Sequence, residues 1–305
     1  MRFPAFERGF RITPQINALG RLEDARCGVK FLLGSDPEET EQVGATLALL
    51  NTKRKDIERS IFDEVQRLIK NGVIDIDQEQ VIMAGSKQWQ AGVIGLVASR
   101  LVAEYARPVI LFHITDSGMA KGSCRSIKNF DMFKALEQCA DLLTSFGGHP
   151  MAAGLALPVA HVAQLKERLE LLTRQLLTPE DFQRYLTLDA TIAMNDIGTK
   201  LVKDLELFEP FGAENATLSF CLRKVTLIAP PQLMKDLHVK IKVFSDGIIK
   251  PVVFFNRPEL FQFFMDMHDQ SFDLAVQVTQ NHWQGKVNVE LLGLDCTNGV
   301  QEGML

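Results

Sequence analysis

Several short clusters in this chain combine glycine, hydroxyl, amide and cationic residues, the set that binds anions and phosphates in particular. The richest is Phe146-Gly147-Gly148-His149-Pro150-Met151-Ala152-Ala153-Gly154. Two glycines ahead of a histidine let backbone N–H groups come close to an anion, the imidazole adds a donor, and small residues afterwards let the chain tuck beneath the ligand. Taken alone, the stretch also suits a tight turn with a solvated histidine. Gly122-Ser123-Cys124-Arg125-Ser126 ends a strand with a guanidinium and two hydroxyls, suited to bidentate phosphate contact. Asn17-Ala18-Leu19-Gly20-Arg21 sets an amide and a guanidinium around a glycine. Gly92 to Arg100 opens a helix with glycines, where unpaired N–H groups and the helix dipole favour an anion, although Gly92 and Gly95 equally suit close helix–sheet packing and Arg100 a surface ion pair.

Further along, His238, Lys240 and Lys242 alternate with Val239, Ile241 and Val243, so a strand would place the basic groups on one face and the apolar groups in a core. Phosphates could track that face while Trp283 or Phe255 stacks a base; an ordinary solvated strand has the same pattern. Metal chemistry is harder to find. Asp75 and Asp77 form a close acidic pair, but beside Asn71-Gly72 they suit a polar turn, and none of the six histidines has a carboxylate at metal-ligand spacing on a plausible shared face. The five cysteines are scattered without a Cys-x-x-Cys pair, which predicts reduced thiols. This chain alone is therefore expected to bind no metal or other cofactor.

The elements that must position these groups follow from periodicity. Asp36 suits an N-cap, Pro37 the first helical position and Glu39 a capping box. Val43, Leu47, Leu50, Ile57, Ile61, Val65 and Leu68 then recur at helical spacing until Asn71-Gly72, predicting one long helix over 36–72 that either joins two bodies or packs along its own domain. Residues 73–178 alternate strand and helix signals and predict an α/β domain with a mixed sheet, in which 146–154 begins as a glycine-rich loop and Leu155–Leu157 is a short strand. Residues 179–305 carry short alternating runs at 218–221, 238–244, 251–255, 272–279 and 286–292, which predict a small closed β-barrel of the OB-fold kind. The fold class is thus α/β plus β. Apolar residues make up 46% of the chain and charged residues 23%, ordinary for a globular protein, and no apolar run is long enough to span a membrane. Cytoplasmic location is the expectation. Net charge is −5, with the acidic surplus in 179–305, so a nucleic-acid site must be a local cluster and not a global basic field.

In order and spacing, these blocks resemble the RecJ-type single-stranded-DNA exonucleases of the DHH phosphoesterase family. The resemblance is carried by NALGRLEDA, GVIGLVASRL followed by RPVIL, GSCRSI followed by FDMFKAL, FGGHPMAAG, and later PFGAEN, HVKIKVFSDG, VVFFN and NHWQGKVNVELLGLD. It implies that 1–35 is the end of a catalytic domain, 36–72 the connecting helix, 73–178 the DHH-associated domain and 179–305 an OB-fold. It implies a substrate channel lined by Asn17, Arg21, Ser123, Arg125, Ser126, Gly147, Gly148 and His149, with Arg125 and His149 holding the phosphate as its charge develops. Family members use two divalent ions, usually manganese, or magnesium, held in an N-terminal domain with an Asp-His-His signature, and this sequence has no such cluster. The implied activity is 5′ to 3′ digestion of single-stranded DNA in recombination and repair, with this chain as the DNA-holding portion and single-stranded DNA its partner. A non-catalytic short form that binds single strands or a protein partner is the alternative, and a small-nucleotide phosphoesterase, which has little use for a barrel, is a third. Cys124 where a glycine is common, Gln15 where a basic residue is common, and Glu214-Asn215-Ala216 where Gly-Asn-Pro is usual depart from the pattern, leaving DNA grip near Gln15 and the turn at Glu214 in question.

Overall fold

A computed structural model describes residues 12–298 apart from 35, 213, 268–269 and 284–285. The chain divides into two compact units, Met1–Tyr185 and Leu186–Leu305. The first eleven residues of the expected catalytic-domain end lie outside the described residues.

The first unit opens with helices α1 (Thr13–Leu22) and α2 (Arg26–Leu33), which rest on the front half of α3 (Pro37–Lys70) through Ala18, Leu19, Leu47 and Leu50. The start of α3 is capped as its sequence requires: the Asp36 carboxylate accepts the Glu38 N–H at 2.8 Å. Its end is closed by Gly72 at φ 70, with the Val73 N–H returning to the Leu68 carbonyl at 2.9 Å. The rear half of α3 buries Ile61, Phe62 and Val65 against the same core as the α/β sheet. The two halves of α3 thus pack in two different clusters, the front with α1 and the rear with the sheet.

Five strands form a mixed sheet in the order β1-β2-β3-β5-β4: β1 (Ile82–Ser86), β2 (Val109–Ile114), β3 (Met119–Arg125), β4 (Ser145–His149) and β5 (Ala152–Pro158). Only β1 and β2 run parallel, joined by α4 (Ala91–Tyr105). On one face, α4 and α3 cover Ile82, Val109 and Leu111. On the other, α5 (Met132–Glu137) and α6 (Val162–Leu176) cover Ile110, Phe112, Cys124 and Leu155. The glycine-rich stretch expected as a loop is in fact the edge strand β4, and β5 is longer than the expected three residues. Glycine is a poor strand former, but the backbone of β4 pairs with β5 at every position from Ser145 to His149.

The second unit is a barrel. After β6 (Ala190–Thr191) and α7 (Thr199–Glu206) come β7 (Phe220–Leu227), β8 (Gln232–Met234), β9 (His238–Ser245), β10 (Ile248–Phe254), α8 (Leu260–Asp266), β11 (Ser271–Trp283) and β12 (Lys286–Thr297). Pairings β7–β9, β9–β10, β10–β12, β12–β11 and β11–β7 close a ring of five strands, with only β10–β12 parallel. Numbered within the ring, the strand order is 1-2-3-5-4, with a helix between the third and fourth, which is OB topology. Val239, Ile241, Val243, Phe254, Phe264 and Phe272 fill its interior.

Candidate nucleic-acid interface

The register of the α/β sheet brings together residues that are far apart in sequence. Arg125 lies opposite Ala152 and Ala152 opposite His149; Ser123 lies opposite Gly154 and Gly154 opposite Gly147; Lys121 lies opposite Ala156 and Ala156 opposite Ser145. Directly opposed residues share a face, and so do residues two apart on one strand. These three rows therefore form one patch on the α4 side of β3, β5 and β4. Helix α4 packs on β2 and β3, and beyond it Ser145, Gly147, His149 and Gly154 are exposed. The result is an open ledge with almost no side chains along its middle and cationic or hydroxyl groups at its borders.

Arg125 is held in place. Its Nε donates to Ser99 Oγ at 3.0 Å, and its Nη1 to the Cys124 carbonyl at 2.7 Å and to Ser123 Oγ at 3.3 Å. Helix α4 comes this close because position 95 is glycine: a Cβ there would sit 2.8 Å from Ser123 Oγ and 3.0 Å from Arg125 Nη2. Position 92 does the same for α1, since a Cβ would lie 2.3 Å from the Arg21 carbonyl. Arg21 in turn donates from Nη1 to the Gly92 carbonyl at 3.0 Å. Burial, with Arg54 and Arg125 nearby, pulls the Arg21 guanidinium below the ordinary arginine value. Arg21 and Arg125 are thus brought together around the first turns of α4. Asn17, one helical turn before Arg21 on α1, is exposed.

The two glycines of the Gly-Gly-His stretch differ. Gly148 has φ 147, and a Cβ would meet the Ala152 carbonyl at 2.4 Å and Ala153 Cα at 2.5 Å, so the fold itself demands glycine there. At Gly147 nothing lies within 4 Å of an added Cβ, and at Gly154 only the Gly122 oxygen does, at 3.8 Å. Their missing side chains keep the ledge open and satisfy no constraint of the fold. Ser126 is different again. It is buried, and its hydroxyl donates to the Phe130 carbonyl at 2.6 Å, which holds the turn after β3 and leaves no donor for a ligand. A buried, satisfied hydroxyl does not fit the place in a channel lining expected of Ser126.

On the barrel, His238, Lys240, Lys242 and Phe244 point outward from β9 while Val239, Ile241 and Val243 point inward. Lys240 is paired with Gln232 and Val253, and Lys242 with Pro251. The His238 Nδ1 accepts the Asn256 N–H at 3.0 Å, and the His238 ring meets Phe255 edge-on at 5.1 Å. Phe255 is 55% exposed and Phe244 41% exposed, so aromatic groups flank the two lysines on the surface that the second and third ring strands of an OB-fold present to oligonucleotides. The Trp283 side chain lies outside the described residues.

Among the described residues Arg100 is in no ion pair; its guanidinium stacks 3.6 Å above the Phe62 ring. Ser99, as the partner of Arg125, and Lys121 were not singled out by sequence motif, although Lys121 shares the two-residue period of Ser123 and Arg125. Among the described residues, no group of three or more His, Cys, Asp or Glu could hold a metal ion, and the Asp75 carboxylate accepts the Asp77 N–H at 3.0 Å as a turn would. The side chains described here therefore do not fit a two-metal centre.

Residues 78–176 match the DHHA1 domain model and residues 188–295 the RecJ OB domain model. The chain thus carries a DHHA1 domain and a RecJ OB domain. It is 30% identical over 290 residues to the single-stranded-DNA-specific exonuclease RecJ of Bacillus subtilis strain 168, an alignment covering 94% of this chain and 36% of that protein. It is 30% identical over 295 residues to the protein of the same name from Dickeya dadantii strain 3937, covering 94% of this chain and 50% of that one. The crystal structure of RecJ from Thermus thermophilus in complex with Mn2+ superposes with a TM-score of 0.81 at 25% identity, covering 98% of this chain and 42% of that chain. The chain therefore spans between about a third and a half of the length of these relatives. No described helix is long and apolar enough to cross a membrane.

Proposed function

We propose that this chain is the DNA-holding portion of a single-stranded-DNA-specific exonuclease of the RecJ type, acting from the 5′ end in recombination and repair in the cytoplasm. The observation that carries the reading is the ledge: a fixed arginine and an exposed histidine border a sheet surface kept bare by glycines the fold does not need. Such a surface admits a sugar-phosphate backbone at close range. Arg21 and Arg125 supply the positive charge that a phosphate requires and His149 a further donor, with Asn17, Ser123 and the backbone at Gly147 and Gly148 offering more. His238, Lys240 and Lys242, with Phe255, offer a second, sequence-tolerant grip through charge and stacking.

Hydrolysis of a phosphodiester needs a strong nucleophile and neutralisation of developing charge, supplied in two-metal enzymes by clustered carboxylates and their ions. Arg125 and His149 hold a phosphate but do not generate hydroxide. Manganese or magnesium would therefore be bound by residues other than those described here, and this chain's own part is to position the strand. The test is to incubate the purified chain with a 5′-labelled single-stranded oligonucleotide and manganese or magnesium, with a full-length relative and a chelator as controls. The chain is expected to bind the oligonucleotide without shortening it. Chelator-sensitive release of nucleotides that co-purifies with the chain would overturn this division of labour.

A further inference from the structure

We infer that Lys121 is a further phosphate-binding residue of the ledge, holding the phosphate two steps along the strand from the one held by Arg125, so that the ledge takes an oligonucleotide in preference to a mononucleotide. The inference rests on the reading of the ledge as a phosphate site and extends it by one contact.

The alternation of β3 fixes where Lys121 points. Ala120 and Cys124 are fully buried in the core beneath α5 and α6, and a Cβ on Gly122 would meet Phe112 and Leu155 of that same core. Lys121, Ser123 and Arg125 therefore share the opposite face, where Ser123 and Arg125 meet α4 at Gly95 and Ser99. Lys121 is exposed there. Its opposed neighbour is Ala156, too short to cover it, and beyond Ala156 stands the exposed Ser145, whose hydroxyl completes the row.

The charge balance of the patch distinguishes this lysine from the others nearby. None of the positions in the three rows carries a carboxylate. Lys87 is paired with Asp116, Lys166 with Glu79 and Arg168 with Asp141, and among the described residues no ion pair involves Lys121. On the adjoining strand, His113 opposes Lys121, but its Nδ1 is engaged with the Trp89 carbonyl at 2.7 Å. Among the described residues, Lys121 is thus a cation without a neutralising partner on a surface that already has a fixed guanidinium.

Spacing suggests what it holds. Residues two apart on a strand repeat about every 6.6 Å, comparable to the separation of successive phosphates along an extended single strand. The rows Arg125/His149, Ser123/Gly147 and Lys121/Ser145 therefore present donors at the pitch of a nucleic-acid backbone. A nucleoside monophosphate seated at Arg125 and His149 has no second phosphate to offer Lys121. An oligonucleotide has.

The test compares the intact wild-type chain with Lys121→Ala, Lys121→Arg and Arg125→Ala. One probe is a thymidine oligonucleotide of roughly 16 residues, the upper site size of an OB fold, titrated at several salt concentrations; the other is thymidine 5′-monophosphate, followed by NMR. Lys121→Ala is expected to lower the slope of log affinity against log salt by about 0.7 for the oligonucleotide, and to leave mononucleotide binding unchanged. Lys121→Arg should restore the slope, and Arg125→Ala should weaken both ligands. A wild-type slope for Lys121→Ala alongside a weakened Arg125→Ala overturns this inference and leaves the ledge standing. Equal loss of both ligands in Lys121→Ala overturns the assignment to a second phosphate. If Arg125→Ala also leaves both ligands unaffected, the ledge reading itself fails.

Discussion

Adjacent glycines at the head of the Gly-Gly-His stretch should respond in opposite ways to the same substitution. Gly148→Ala forces an L side chain to φ 147 and drives its Cβ to 2.4 Å from the Ala152 carbonyl, inside the β4–β5 ladder. Backbone strain of this kind costs about 1–3 kcal/mol and overpacking a similar amount, so a loss of roughly 2–6 kcal/mol is expected. For a unit of this size that is a fall in Tm of about 4–24 °C. Gly147→Ala meets nothing within 4 Å and needs no special φ, so stability should hold or rise by about 0.4–1 kcal/mol as the unfolded chain loses freedom. Binding should tell the converse story at Gly147. Gly147→Val raises a branched side chain in the middle row of the ledge and should weaken single-stranded DNA while leaving the melting curve near wild type. Thermal unfolding paired with fluorescence anisotropy reads both quantities on the same preparations. Should Gly147→Val destabilise as much as Gly148→Ala, the ledge is not open; should it bind DNA as the wild type does, no ligand comes close there.

Three further outcomes follow from the same geometry. Ser126→Ala strips the Phe130 carbonyl of its buried donor and should cost about 1–3 kcal/mol in urea unfolding with no change in the salt slope of DNA binding. Lys242→Ala, on the outer face of β9, should flatten that slope by about 0.7 for single strands without affecting stability. Burial pushes the Cys124 thiol from an ordinary value of 9.0 up to about 12. The folded state therefore favours the neutral thiol, and the associated stability is present in full below about pH 9 and lost as pH rises toward 12, a trend that Cys124→Ala should flatten in alkaline melting curves.

Local chemistry made much of this legible in the sequence. The cap at Asp36, the stop at Gly72 and the alternation of β9 each depend on residues within a few positions of one another. What local pattern could not show was pairing between distant segments. The stretch 145–149 reads as a loop because two of its residues are glycine, yet it is a strand because β5 supplies partners for its backbone. The ledge depends on the register of three strands drawn from 119–125, 145–149 and 152–158, so Lys121, outside every motif, joins it only once that register is known. Ser126 misled for the complementary reason. Its motif places a hydroxyl beside Arg125, but one step along a strand turns the side chain to the other face, where it satisfies the Phe130 carbonyl. Gly92 and Gly95 fit the packing reading, and that packing is what brings Arg21 and Arg125 near each other.

The central claim, that this chain grips single-stranded DNA through phosphate contacts, is tested most directly by titrating it with a labelled single strand and with a duplex of the same length across a range of salt concentrations. The account predicts tighter binding of the single strand, with affinity that falls linearly in log–log form as salt rises, because each neutralised phosphate releases counterions. Equal affinity for the two forms, or binding indifferent to salt, would contradict it.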